Sequence, residues 1–211
     1  LDYYIRQKRY RLVNSVLVIK NNRIVFERYY NKYDENSMHH IKSVWKSFLG
    51  ALVGICIDKG IIEGLDTPIS RYLPEYFSGD NHFYHKLTIR HLLTMSSGIY
   101  WNGGVHYHCP LIKQMHRTKD WLHFISDTAM AELPGSKYQY KEFDVILLSA
   151  LVGRAYGSNA YEAAREFIYA PMDIKCKPWS MSPCGISFPF GDLEDSETGG
   201  TLRALDMAKL G

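Results

Sequence analysis

Residues 43–60, Ser43-Val-Trp-Lys-Ser-Phe-Leu-Gly-Ala-Leu-Val-Gly-Ile-Cys-Ile-Asp-Lys-Gly60, form the stretch that decides the fold of this chain. Its apolar residues recur at helical spacing and predict a helix buried on most sides, with Gly60 as its C-terminal stop. Because residues three apart lie on the same helix face, the ammonium of Lys46 comes within reach of the Ser43 hydroxyl. A serine hydroxyl needs a base to become a good nucleophile, and a desolvated lysine can be that base.

The composition is that of a globular domain. The chain has 211 residues, of which 46% are hydrophobic and 22% are charged, and 16 are tyrosines. This length allows a real core in one domain. The net charge of +3 is too mild to indicate a nucleic-acid partner. The basic stretch Arg6–Arg11 is interpreted as a solvated lead-in to the first strand rather than a recognition patch.

Neither a membrane span nor a metal site is predicted. No apolar run approaches the ~20 residues that a span needs, but the chain starts at Leu1, so a removed signal peptide stays possible and the compartment, extracytoplasmic or cytoplasmic, stays open. The cysteines lack metal-type pairing, and no cofactor is expected. Cys56 is predicted to be a small buried hydrophobe, whereas a bridge between Cys176 and Cys184 is left open, as is the redox state of Cys109.

A β-hairpin is predicted over residues 14–30. Two β-rich runs, Val16–Ile19 and Ile24–Phe26, flank the asparagine turn Lys20-Asn-Asn-Arg23. No later stretch predicts a partner strand, and a two-stranded sheet is marginally stable alone. Either the hairpin packs on helices unaided or its partners lie beyond Gly211, and we favour the second alternative.

The rest of the chain is predicted to be almost entirely helices and loops over residues 43–211. Its helices are expected from N-cap Thr88 to a stop at Gly98, around Asp120 to Met130, from Phe143 to Tyr156 with a stop at Gly157, and after Asn159, which pairs with Glu162 as a cap.

Four segments in order, followed by the chain's tail, resemble the serine β-lactamase and penicillin-binding-protein superfamily, specifically its class C-like serine hydrolases. They are Ser43-Val-Trp-Lys46, Leu65-Asp-Thr-Pro-Ile-Ser-Arg-Tyr-Leu-Pro74, Leu87-Thr-Ile-Arg-His-Leu-Leu-Thr-Met-Ser-Ser-Gly98, Pro134-Gly-Ser-Lys-Tyr-Gln-Tyr140 and the tail Thr198–Gly211. The resemblance as a whole spans roughly residues 14–211, with these segments in the family's order. The resemblance implies an α+β fold of the β-lactamase/transpeptidase type in a single domain over residues 1–211.

The resemblance also implies roles for individual residues. Ser43 corresponds to the acylated nucleophile and Lys46 to its activating partner in the Ser-x-x-Lys signature. Tyr140 corresponds to the tyrosine of the Tyr-x-Asn motif, which relays protons between nucleophile, lysine and leaving group. Position 142 departs from that motif, because glutamate replaces asparagine. A carboxylate near Lys46 would favour the ammonium form and oppose its use as a base; alternatively, Glu142 contacts substrate or points away.

The third motif of the family, Lys/His-x-Gly on a strand that lines the pocket, normally follows the segment with which this chain ends, and no residues here match it. That strand would supply the second backbone N–H of the oxyanion hole, and loss of one such donor costs ~10²–10³ in rate. We therefore expect this chain to be the N-terminal part of a longer enzyme whose C-terminal sheet strands it lacks.

Several candidate residues have alternative interpretations. Ser43 and Lys46 could be a helix cap and a surface lysine, and Tyr140 a core or rim tyrosine. Trp101 borders the pocket or is an exposed aromatic in the turn 101–104. The pair His39-His40 could touch substrate. The run His106-Tyr-His108-Cys109 invites a metal interpretation, but its ligand set is incomplete and a rim or surface loop is favoured.

The favoured function is a metal-independent serine hydrolase that acts on an amide or ester through a Ser43 acyl-enzyme. Its substrate would be a small molecule or peptide: a β-lactam, a D-amino-acid peptide or a small ester. The alternative is a non-catalytic binding or sensor domain, or an inactive fragment. The oligomeric state stays open, including a dimer through the hairpin.

Overall fold

The computed structural model describes residues 1–79, 81–103, 109–189 and 200–211, and these form an α+β chain. Its α-helices are α1 (Asp2–Arg6), α2 (Trp45–Asp58), α3 (Pro74–Phe77), α4 (Ile89–Leu93), α5 (Pro110–Met115), α6 (Trp121–Ser126), α7 (Glu142–Tyr156), α8 (Ala160–Ala164) and α9 (Ala204–Leu210). Its strands are β1 (Ser15–Lys20), β2 (Arg23–Tyr29), β3 (Met38–His40), β4 (Ser180–Met181), β5 (Ser187–Phe188) and β6 (Thr201–Arg203).

The predicted hairpin is confirmed. Strands β1 and β2 pair antiparallel, with an irregular register between Val18 and Ile19. Asn21 and Asn22 both have positive φ, 52° and 58°. A two-residue hairpin turn with positive φ at both positions matches the twist of the strands, and asparagine tolerates that conformation better than most residues.

Two short strand pairs follow the hairpin, in the region that was predicted to be almost entirely helices and loops. Strand β3 pairs with β6 and β4 pairs with β5, both antiparallel. These strands have two or three residues each, which is too short for an alternating pattern to be read from the sequence. Among the described residues, the β1–β2 sheet itself has two strands, and helix α9 packs against β1.

The core is built around two long apolar helices, α2 and α7, which pack against each other. Helix α7 is buried on all sides from Phe143 to Gly153, as expected for a helix that is hydrophobic all round. Helix α2 buries the six residues that the helical spacing singles out: Trp45, Phe48, Leu49, Leu52, Val53 and Cys56. Full burial of each large apolar side chain contributes about 1.5–3 kcal/mol.

Several predicted helix ends are confirmed. Helix α2 ends at Asp58, two residues before Gly60, which has a φ of 71°. Helix α7 ends at Tyr156, and Gly157 takes the left-handed conformation that favours glycine. The Asn159 side chain caps α8 by accepting a hydrogen bond from the backbone N–H of Glu162.

Two helices are shorter than predicted, and α1, α3, α5 and α9 lie outside the predicted helix bounds. Helix α4 starts after Thr88 as expected but ends at Leu93, not at Gly98, and α6 ends at Ser126, not near Met130. In both cases a hydroxyl at the end of the helix donates to a carbonyl of the preceding turn: Thr94 to Arg90 and Ser126 to His123. Such side-chain bonds compete with helical continuation. Helix α5 has no clear apolar period.

Within the residues that the structure describes, every helix is too short or too polar to cross a membrane.

Gly98 is the position where the fold depends most directly on a missing side chain. Its φ is 81°, and a Cβ there would lie 2.1 Å from the carbonyl oxygen of Glu132. We expect Gly98→Ala to lower the free energy of unfolding by about 2 kcal/mol or more, because both the backbone and the contact become strained. Gly54→Ala is the control: this exposed site in α2 has open space around it, so the change should stabilise by about 0.5–1 kcal/mol. Urea unfolding measures both, and equal effects would contradict this account.

Candidate active site

Ser43 lies at the entrance to helix α2. It is the middle residue of a 3-10 turn, Lys42–Val44, and α-helical hydrogen bonding starts at Trp45 rather than at Ser43 itself. The approach to the turn is anchored, because the Ile41 N–H donates to the Gly200 carbonyl at 3.0 Å beside the β3–β6 pair. Lys42 has a φ of 46°, a left-handed conformation that is strained for a side chain of this size.

Lys46 reaches Ser43 as the spacing predicts. Its Nζ donates to Ser43 Oγ at 3.2 Å, and only 13% of the lysine side chain is exposed. The Nζ atom also lies 5.1 Å from the ring centroid of Trp45. The alternative of a surface lysine is therefore wrong, since the ammonium is enclosed between an aromatic ring and the serine hydroxyl.

Tyr140 arrives at the same hydroxyl from a distant part of the chain. Its phenolic OH donates to Ser43 Oγ at 2.7 Å. The Tyr140 ring also faces the Lys46 ammonium, with 5.3 Å between Nζ and the ring centroid. The structure thus brings together Ser43, Lys46 and Tyr140, the three residues predicted to be catalytic.

Glu142 is the first residue of helix α7 and points into this cluster. Its Oε1 lies 2.9 Å from Lys46 Nζ, and 26% of its side chain is exposed. The helix N-terminus favours a negative charge at this position. The alternative in which Glu142 points away from Lys46 is therefore wrong. The structure has the alternative in which the carboxylate lies next to the Lys46 ammonium.

Trp101 lies in the core and not in an exposed turn. It is 6% exposed, and its ring packs edge-on against Phe143 with 5.0 Å between centroids. Its carbonyl accepts a hydrogen bond from Gln139 Nε2 at 3.2 Å, directly beside Tyr140 in sequence. A role for Trp101 in binding substrate stays a prediction; the contacts seen are with the segment that carries Tyr140.

A buried polar cluster behind Tyr140 was not predicted. Ser97 Oγ donates to Asp144 Oδ1 at 2.5 Å, and Lys141 Nζ donates to the Ile99 carbonyl at 2.9 Å. Lys141 and Asp144 are 1% and 0% exposed. The sequence signal for this cluster was Asp144, an aspartate in a helix predicted to be apolar. That signal does not predict which residue the aspartate contacts.

This cluster joins two of the segments that carry the family resemblance. The Gln139 N–H donates to the Met95 carbonyl and the Gly135 N–H to the Ser96 carbonyl, both at 2.8 Å. With the Ser97–Asp144 bond, these contacts fix residues 134–140 against residues 95–98. The backbone on either side of Tyr140 is thus held by hydrogen bonds, which positions its hydroxyl at Ser43.

Burial controls the protonation of the polar cluster. It raises the pKa of Asp144 to about 7, against the smaller opposing effects of Lys141 and Ser97. Burial also lowers the pKa of Lys141, which the nearby Asp144 opposes. Among the described residues Asp144 Oδ2 has no hydrogen-bond partner, and an unpaired buried oxygen costs least when the carboxyl is neutral.

The remaining candidates from the sequence are histidines and cysteines. Across the described ranges, no group of three or more His, Cys, Asp or Glu side chains could hold a metal ion. His106 and His108 lie outside the described residues. His39 stacks on Tyr33, with 4.8 Å between the ring centroids, and contact of the pair His39-His40 with substrate stays a prediction. Cys176 and Cys184 are not joined by a disulfide, so the bridge that the sequence left open is not formed.

Comparison with known proteins shows the family. The family model described as Beta-lactamase matches residues 2–176, so the chain belongs to the β-lactamase family. It is 26% identical over 214 residues to the esterase EstB of Burkholderia gladioli, covering 90% of this chain and 53% of that protein. It is 22% identical over 210 residues to the 6-aminohexanoate-dimer hydrolase of Paenarthrobacter ureafaciens, covering 94% of this chain and 50% of that protein.

Solved structures confirm the β-lactamase/transpeptidase-like fold. The crystal structure of a penicillin-binding protein from Bacillus halodurans superposes with a TM-score of 0.71 at 20% identity, covering 98% of this chain and 72% of that one. The chain spans about half the length of the two hydrolases it resembles in sequence.

The pH dependence of stability tests the state of Asp144. Its pKa in the folded chain is above the unfolded value of about 3.9. The carboxyl therefore stabilises the fold most below pH 4, and this contribution is lost as the pH rises toward and through about 7. Relative to Asp144→Asn, the wild type should lose stability between pH 5 and 8, by at most about 1.4 kcal/mol per pH unit.

Urea unfolding at pH 5, 6, 7 and 8 provides the measurement. The exposed Asp58→Asn is the matched control and should follow the wild-type pH profile. An Asp144→Asn profile parallel to that of the wild type would show that Asp144 does not titrate as described.

Proposed function

We propose that this chain carries the nucleophile of a serine hydrolase that cleaves an ester or amide through an acyl-enzyme on Ser43. One observation carries the proposal: Ser43 Oγ contacts both Tyr140 OH, at 2.7 Å, and Lys46 Nζ, at 3.2 Å. A hydroxyl held between two proton-transfer groups has the geometry of an activated nucleophile. The relatives named as an esterase and as a 6-aminohexanoate-dimer hydrolase support a hydrolase, and the first name supports an ester substrate.

The proposed reaction has two stages. Ser43 Oγ bonds to the acyl carbon while its proton passes through the Lys46 and Tyr140 side chains, and the Ser43 backbone N–H donates to the developing oxyanion. Tyr140 relays a proton to the leaving group as the carbonyl re-forms and the ester or amide bond breaks. Water then attacks the acyl carbon by the same proton route and releases the acid.

A second candidate function rests on Glu142. Its carboxylate Oε1 lies 2.9 Å from Lys46 Nζ, so an ion pair engages the side chain that would have to accept the Ser43 proton. This contact is the observation that favours a non-catalytic domain that binds a ligand without turnover. The two candidates differ in whether Ser43 becomes acylated.

Covalent labelling distinguishes these candidates. We expect a fluorophosphonate probe to add one adduct to the protein, detected by intact mass, and Ser43→Ala to abolish it. Ser47→Ala is the matched control, because Ser47 is an exposed serine one turn further along α2 and should label like the wild type. An adduct that survives in Ser43→Ala would contradict the Ser43 assignment. A folded wild type that does not label would favour the binding domain.

The role of Tyr140 is tested by removal of its hydroxyl. Tyr140→Phe keeps the ring over Lys46 but deletes the 2.7 Å hydrogen bond to Ser43. We expect kcat/KM for an ester substrate to fall by ~10²–10⁴, the usual contribution of a general acid–base group. Tyr138→Phe, at a site that is 68% exposed, is the control and should leave the rate within about twofold. A Tyr140→Phe rate equal to that of the control would remove Tyr140 from the mechanism.

A further inference from the structure

The Lys46–Glu142 ion pair sets the charge beside the nucleophile. Lys46 Nζ contacts Ser43 Oγ at 3.2 Å and Glu142 Oε1 at 2.9 Å, so the carboxylate is separated from the serine hydroxyl by a single ammonium nitrogen. One positive and one negative charge at this distance largely cancel. The nucleophile therefore lacks the net positive field that Lys46 would exert without Glu142.

The neighbouring charges in the first turn of α7 do not replace Glu142 in this position. Lys141 is buried and donates to the Ile99 carbonyl, and Asp144 is buried and accepts from Ser97. Both are directed into the core. Glu142 is thus the charged residue of this turn that faces Lys46, and its 26% exposure leaves it accessible to an incoming substrate.

We propose that Glu142 is a specificity-determining residue that removes the preference for a substrate carboxylate near the scissile carbonyl that Lys46 alone would create. The inference rests on the proposed function of Ser43 as the acylated nucleophile. A substrate carboxylate bound near Ser43 would meet Lys46 and Glu142 together, so the attraction of the ammonium is offset by the repulsion of the carboxylate. Coulomb's law at the dielectric of a protein surface makes the attraction of an unpaired ammonium worth on the order of tenfold in rate, and the ion pair withholds this gain from a charged substrate.

Two matched esters measure this preference. Para-nitrophenyl butyrate and para-nitrophenyl hemisuccinate have the same leaving group and acyl chains of similar length, but the second ends in a carboxylate. The readout is the ratio of their kcat/KM values, from release of para-nitrophenol. Comparison of that ratio between variants cancels the intrinsic reactivities of the two esters.

We expect the ratio of the two kcat/KM values to change in Glu142→Gln and not in the other variants. Glu142→Gln should shift the ratio by on the order of tenfold toward hemisuccinate, because the Lys46 charge is then uncompensated. Glu142→Asp, which keeps the charge, should stay close to the wild type. Glu63→Gln, which removes an exposed carboxylate paired with Arg71, is the charge control and should not change the ratio. An unchanged ratio in Glu142→Gln would overturn the proposal.

A second measurement uses salt. In Glu142→Gln, raising the salt from 0.1 M to 1 M shortens the screening length from about 10 Å to about 3 Å and should move the ratio back toward the wild-type value. A salt-independent ratio in Glu142→Gln would also overturn the proposal. Failure of the proposed function gives a different result: no fluorophosphonate adduct on Ser43 and no release of para-nitrophenol from either ester.

Discussion

The packing of helix α2 against helix α7 is the constraint on which the site depends. Ser43 and Lys46 belong to the entrance and first turn of α2, and Glu142 is the first residue of α7, preceded closely by Tyr140. Because both helices are buried along most of their length, their N-terminal ends are held in one place. Apolar packing far from the chemistry therefore sets the two contacts that join these helix ends, the 2.7 Å contact of Tyr140 with Ser43 Oγ and the 2.9 Å contact of Glu142 with Lys46.

The buried pair Lys141 and Asp144 carries out a second part of this positioning at an energetic cost. Desolvation disfavours the charged form of both groups. Their hydrogen bonds to Ile99 and Ser97 recover part of that cost and also specify which loop lies behind Tyr140. Apolar side chains could fill the same space, but they would not define the position of that loop through directional bonds.

Much of the fold and the central site could be predicted, because local rules dominate there. The asparagine turn, the α2 apolar spacing and the Gly157 stop are short-range signals, and the Ser43–Lys46 contact follows from helical geometry. The strand pairs β3–β6 and β4–β5 could not be predicted, because strands of two or three residues have no readable period. The placement of Tyr140 at Ser43 came from family resemblance, since its sequence separation of 97 residues lies beyond any local rule.

Family resemblance and physical reasoning give different information about Glu142. The family pattern places an amide at position 142 and so flags the glutamate as a departure, but it does not say what a carboxylate does there. Two independent effects place the negative charge: the N-terminus of α7 favours an anion, and Lys46 lies 2.9 Å away. A carboxylate held by both is part of the site's electrostatics, so replacement of the amide changes the charge that a substrate meets rather than only one hydrogen bond.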